Sequence, residues 1–116
     1  IKMPDDLIFI AQQGEVKPQR LPVAPSPWMD FIATYGDEEQ GRTGIAVLIH
    51  PSTPHFPQPW VIRAKGSMQN PVYPGIKPVT ISQDTPTTLR YRLVIHQEPD
   101  MKIIPDLQEP LPELFK

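Results

Sequence analysis

The chain has 116 residues, with 11 Lys plus Arg against 13 Asp plus Glu for a net charge of −2, 17 prolines and no cysteine. This length holds one domain with a modest core. The charge balance offers no basic field for phosphates, so nucleic acid is not an expected partner, and the missing cysteine excludes disulfides, thiol catalysis and cysteine metal sites. Interior prolines oppose long helices, and no apolar run approaches the roughly 18–20 residues that span a bilayer, so no membrane partner is expected.

In chain order, Leu7-Ile8-Phe9-Ile10 is long enough for a strand and too short for a stable helix. Pro18, Pro22, Pro25 and Pro27 mark a stiff, extended connector that follows a surface. Residues 28–35, WMDFIATY, are rich in aromatic and β-branched side chains and stop at Gly36, which predicts a strand. The following acidic stretch, 37–41, reads as an exposed turn. Residues 43–50 predict the next strand, with Ile45, Val47 and Ile49 on one face and Gly44, Ala46 and Leu48 on the other. Both faces are apolar or small, so this strand is expected to be central and covered on both sides.

Pro51, Pro54, Pro57 and Pro59 then interrupt pairing and stiffen a loop that carries His50 and His55. Trp60 to Lys65 resumes as a strand, residues 66–77 form a loop with the turn signals Asn70-Pro71 and Pro74-Gly75, and Val79 to Ser82 reads as a short strand. Thr87 to His96 alternates most clearly: Leu89, Tyr91, Leu93 and Ile95 share one face, and Arg90, Arg92, Val94 and His96 share the other. Pro99, Pro105, Pro110 and Pro112 break the tail, leaving a short turn near Pro112 to Phe115. The expected fold is an all-β, antiparallel β-sandwich with few or no helices. It comprises a proline-rich segment over 1–27, a sheet core over 28–96 and a broken tail over 97–116.

Six side chains are candidate substrate-binding residues: His50, Trp60, Arg63, Asn70, Arg92 and His96. Five of them also have a plainer reading, and Arg63 is singled out for its place beside Trp60. His50 serves equally as a hydrogen-bonded cap at a strand end. Trp60 serves as a core anchor, although its ring face and nearby polar donors also suit a sugar ring. Asn70 precedes a proline and shapes its turn. Arg92 and His96 lie on one face, roughly 13 Å apart along the strand; they line either a groove or an ordinary polar surface. A metal site would need His50, His55 and His96 together, a spacing that matches no established zinc pattern, so no metal and no cofactor are expected. Paired carboxylates for hydrolysis are not evident. The acids cluster in turns and tail, and Asp30 alone sits mid-strand.

The run from Gly44 to Pro54, followed by Pro57-Gln58-Pro59-Trp60, Arg63, Asn70-Pro71 and Leu89 to His96, resembles the bacterial domain family labelled methane oxygenase PmoA. Trp28-Met29-Asp30 is similar to the start of another of that family's strands. Thr53, His55, Phe56 and Val61 depart from its usual residues, which alters any site built on those positions. The resemblance implies a β-rich fold like the supersandwich of galactose mutarotase-type proteins. Members are longer, so it also implies a C-terminal portion of a larger β domain. It further implies carbohydrate-related binding on a concave sheet, with the Arg92–His96 face as floor and His50 on its rim. Two other readings stand beside this one: a mutarotase- or epimerase-like enzyme with a histidine as general acid, and a non-catalytic interaction domain whose open sheet edge pairs with another polypeptide segment or a second copy.

Overall fold

A computed structural model describes residues 4–37, 39, 41–64, 69–75 and 77–108. Within these residues the chain runs through strands β1 (Ile8–Ala11), β2 (Gly14–Val16), β3 (Trp28–Ala33), β4 (Thr43–Ile49), β5 (Trp60–Ile62), β6 (Gln69–Pro71) and β7 (Tyr91–Gln97), then a 3-10 turn (Glu98–Ile103) and a helix α1 (Ile104–Gln108). Five strands form an antiparallel sheet in the order β2-β1-β3-β4-β7, and β5 pairs with β6 in a small second sheet. The fold is therefore all-β and sandwich-like, with one short helix.

The two faces of the large sheet are covered by different things. On one face Phe9, Ala11, Met29, Phe31 and Ile49 pack with Val23, Trp60 and Ile62 from the connector and the second sheet. Phe9 and Phe31 meet edge to face at 5.6 Å, and Trp60 tilts against Phe31. On the other face Trp28, Ala46 and Leu48 pack under Ile104 and Leu107 of α1. Every residue of β3 is buried, as expected of a strand covered on both sides. β4 lies between β3 and β7 and buries its Gly44, Ala46 and Leu48 face completely.

The proline-rich connector runs along β5. Val23 and Trp60 exchange backbone hydrogen bonds, Gln19 N–H donates to Ile62 O, and Ser26 N–H donates to Gln58 O. The residues that donate are 19, 23 and 26. The prolines, at 18, 22, 25 and 27, take neighbouring positions where no donor is required. Ser26 then links the layers. Its hydroxyl donates to Trp28 O and accepts from Gln12 N–H, and its carbonyl accepts the Trp60 indole N–H at 2.9 Å.

β2, in a stretch to which no sequence pattern assigns an element, is a strand through its pairing with β1 across a tight turn. Four local expectations need correction. β6 lies in the expected 66–77 loop and pairs through Asn70 with Val61. Residues 79–82 are not a strand, and β7 begins at Tyr91 rather than Thr87. The tail contains α1, which Pro105 does not prevent, because it occupies the first turn, where its missing N–H would have no helical partner. The suggested turn over Pro112 to Phe115, and Lys65 of the suggested β5 strand, lie outside the described residues.

Asp6 ties the start of the chain to the end of β3. Its carboxylate accepts the Thr34 N–H and the Thr34 hydroxyl, the latter at 2.6 Å. These bonds, the hydroxyl first, hold the Asp6 carboxyl below its ordinary value of 3.8. A depressed carboxyl adds stability that is full above the unfolded value and lost as pH falls through the folded one. Asp6→Asn should therefore lower the melting temperature at pH 6 and above, with the gap to the unaltered chain closing as pH drops below 3.8.

Candidate functional site

The six candidate residues fall into separate environments. Asn70 and Trp60 lie on the side of the large sheet covered by β5 and β6. Trp60 is fully buried there as a core anchor, while Asn70 lines an open groove with Val47, Pro71, Tyr91 and Leu93. Its amide N–H donates to Pro71 O, the turn-shaping bond expected of an asparagine before proline. Arg92 and His96 lie on the opposite face, across from Leu48 and Gly44. Arg63 follows β5, half-buried, and its carbonyl accepts the Gln69 side-chain amide. Arg92 and His96 share one face of β7, as alternation requires, while Asn70 lines a groove with Tyr91 and Leu93 on the other side of the sheet.

His50 is buried at the end of β4. Ser52 N–H donates to its Nδ1 at 3.0 Å, which places the ring proton on Nε2, and the Ser52 hydroxyl lies 2.6 Å from the same nitrogen. Thr53 N–H donates to His50 O. The histidine thus closes the strand and starts the proline loop. His55 is exposed and has φ 63°. Among the described residues no group of three or more His, Asp or Glu side chains is placed to hold a metal ion.

His96 has the most specific surroundings. Its Nε2 lies 2.7 Å from Asp30 Oδ2, and its Nδ1 lies 2.6 Å from Gln97 O. Both ring nitrogens therefore face acceptors. One proton is committed to the Gln97 carbonyl, and a second is shared between the imidazole and the carboxylate. The side chains of His96 and Asp30 are 3% and 0% exposed. The pair reaches across β4, from β7 to β3, over Gly44. A Cβ built on Gly44 would come within 2.6 Å of Asp30 Oδ1 and still closer to His96 Nε2. Glycine is required here for the contact itself, and not for a special backbone angle.

Removal from water is the largest influence on Asp30 and pushes its carboxyl above the ordinary 3.8; the charge and hydrogen bond of His96 oppose that rise. Near by, the Tyr35 hydroxyl donates to Phe31 O, and burial, with the Asp30 charge second, raises it to about 12. As an acid–base couple the pair has suitable chemistry but no access to a substrate, since both members are sealed in the sheet.

Asp30 was visible in the sequence as the one mid-strand acid, and His96 was singled out, but nothing local joins residues 66 positions apart. Gly44 read only as a small residue on an apolar strand. A family model, the Family of unknown function (DUF6807), matches residues 5–103. Searches of curated proteins and of solved structures return no match.

Three measurements follow from this geometry. Gly44→Ala should lower the unfolding free energy by about 1–3 kcal/mol in denaturant titrations, the usual cost of forcing atoms into a packed site. His96→Leu should cost about 3–5 kcal/mol, because it strands a buried carboxyl, while Asp30→Leu/His96→Leu should recover most of that loss. The raised Asp30 carboxyl adds stability that is full below 3.8 and falls as pH climbs from there to its elevated folded value; Asp30→Asn should remove that part of the pH slope.

Proposed function

The chain belongs to the DUF6807 family of unknown function, and from that starting point we propose that it is a non-catalytic β domain that binds another polypeptide through β7. The observation that carries this reading is the exposed side of that strand. Leu93 and Ile95 are 67% and 75% exposed, with Tyr91 beside them, on a seven-residue strand at the edge of the large sheet. Sheet edges are ordinarily blunted by lysine, proline or shortness, and β7 has none of these. The burial of His96 and Asp30 favours this reading over a mutarotase-like enzyme, since a general acid must reach its substrate.

Strand addition is the recognition mode that fits such an edge, with main-chain hydrogen bonds supplying affinity and alternate side chains supplying selectivity. A peptide corresponding to residues 90–98 is a direct probe. Added to the isotope-labelled chain, it should shift the backbone amides of Tyr91, Leu93, Ile95 and Gln97 saturably, and a version with proline at its centre should not. Unchanged amides at those four positions would refute the reading.

A second reading keeps carbohydrate as the ligand, on the strength of the family resemblance and of one feature. The groove between β6 and β7, about 560 Å³, is lined by both Asn70 and Tyr91, a polar and an aromatic residue of the kinds that suit a sugar. Under it, an oligosaccharide panel should include a member that shifts the Asn70 and Tyr91 signals, and Tyr91→Ala should abolish the shift. A panel without effect would remove it.

A further inference from the structure

We propose that the polypeptide bound by β7 is β7 of a second copy of this chain, antiparallel across a two-fold axis at Val94, joining the two large sheets edge to edge. The inference rests on the interaction reading above and adds the partner and the register.

The hydrogen-bond phase of β7 restricts the possibilities. His50 N–H donates to Arg90 O at one end of the β4–β7 ladder, and Glu98 N–H donates to Arg42 O at the other. Antiparallel ladders alternate, so the even-numbered residues of β7 spend their backbone groups on β4. Tyr91, Leu93, Ile95 and Gln97 point theirs outward. The residues that offer the free backbone are therefore those whose side chains form the exposed apolar row. A symmetric antiparallel partner must set odd residues opposite odd residues. That leaves an axis at Leu93 or at Val94 as the central choices, and a one-residue slip in pairing breaks the ladder.

Charge separates the two. With the axis at Val94, Leu93 faces the second copy's Ile95, Tyr91 faces its Gln97, and Arg90 faces its Glu98, so opposite charges meet at both ends. With the axis at Leu93, Arg90 faces the second copy's His96 and Glu98 faces its Thr88, so the charges gain nothing. Glu98 is already held in position by its ion pair with Arg42, which fixes an acid at the end of the strand. The interface is self-complementary, as a two-fold contact must be. Opposite-charge and aliphatic cross-strand pairs each stabilise such a ladder.

The test uses the full chain, whose lack of cysteine makes any introduced thiol the sole one. Light scattering at tens of micromolar should give twice 13.2 kDa, and Leu93→Lys, at an exposed position, should give the single-chain mass while still unfolding in one cooperative transition, at a lower temperature than the dimer. Val94 meets its own copy in a non-hydrogen-bonded pair with Cα atoms about 4.5 Å apart, within disulfide reach. Val94→Cys should then cross-link on mild oxidation and Leu93→Cys should not. A single-chain mass for the unaltered protein, open-ended aggregates, or the reverse cross-linking preference would overturn the proposal. If the chain is monomeric yet its β7 amides still respond to the 90–98 peptide, the second copy is excluded while the interaction reading stands; if they do not respond, both fall.

Discussion

The hydrogen bond between His96 and Asp30 over Gly44 fixes how the three principal strands sit. Asp30 comes from β3, Gly44 from β4 and His96 from β7. The contact forms only if all three are in register, since a one-residue slip would send His96 or Asp30 to the opposite face. Apolar packing against α1 drives burial of this face but tolerates small shifts among aliphatic side chains. The hydrogen-bonded pair does not: breaking it leaves a carboxyl without water or partner. It therefore supplies selectivity of register more than net stability. The Arg42–Glu98 ion pair closes the same ladder one step further on.

Fixing that register determines what β7 shows to solvent. Once Arg92, Val94 and His96 face α1 and the interior, Tyr91, Leu93 and Ile95 must face the other way. Among the described residues, the second sheet packs on Ile49 and Phe31 on that side and leaves Leu93 and Ile95 exposed. One strand thus carries a sealed polar pair on one face and an open apolar row on the other. The polar pair organises the fold, and the apolar row is the part available for recognition. His96, a candidate general acid, is buried with Asp30 inside the sheet.

Much of the fold was legible because it is written in local patterns. The alternation of Leu89 to His96 and the two-sided apolar run of Thr43 to Ile49 placed β7 and β4, and the connector's prolines marked an extended segment. Short elements were less legible. β2 and β6 are three residues each and become strands by pairing with their neighbours β1 and β5 rather than through a pattern of their own, and α1 is defined by Ile104 and Leu107 packing on Trp28 and Leu48 rather than by helical periodicity. The candidate site was half readable: His96 and Asp30 each stood out, one as a strand-end histidine and the other as a lone mid-strand acid. Their pairing and the need for glycine at position 44 are properties of strand order, which no stretch of the chain states by itself. Asn70, on β6 of the small sheet, lies on the opposite side of the large sheet from Arg92 and His96; that separation is a property of how the sheets pack, which no stretch of the chain states.

Nuclear magnetic resonance of the His96 ring tests the central claim most directly. A proton held between His96 Nε2 and Asp30 Oδ2 within a sealed sheet should give a downfield imidazole N–H signal that exchanges slowly with water and disappears in Asp30→Asn. A His96 ring whose N–H protons exchange freely with solvent, or are unaffected by that substitution, would contradict the account.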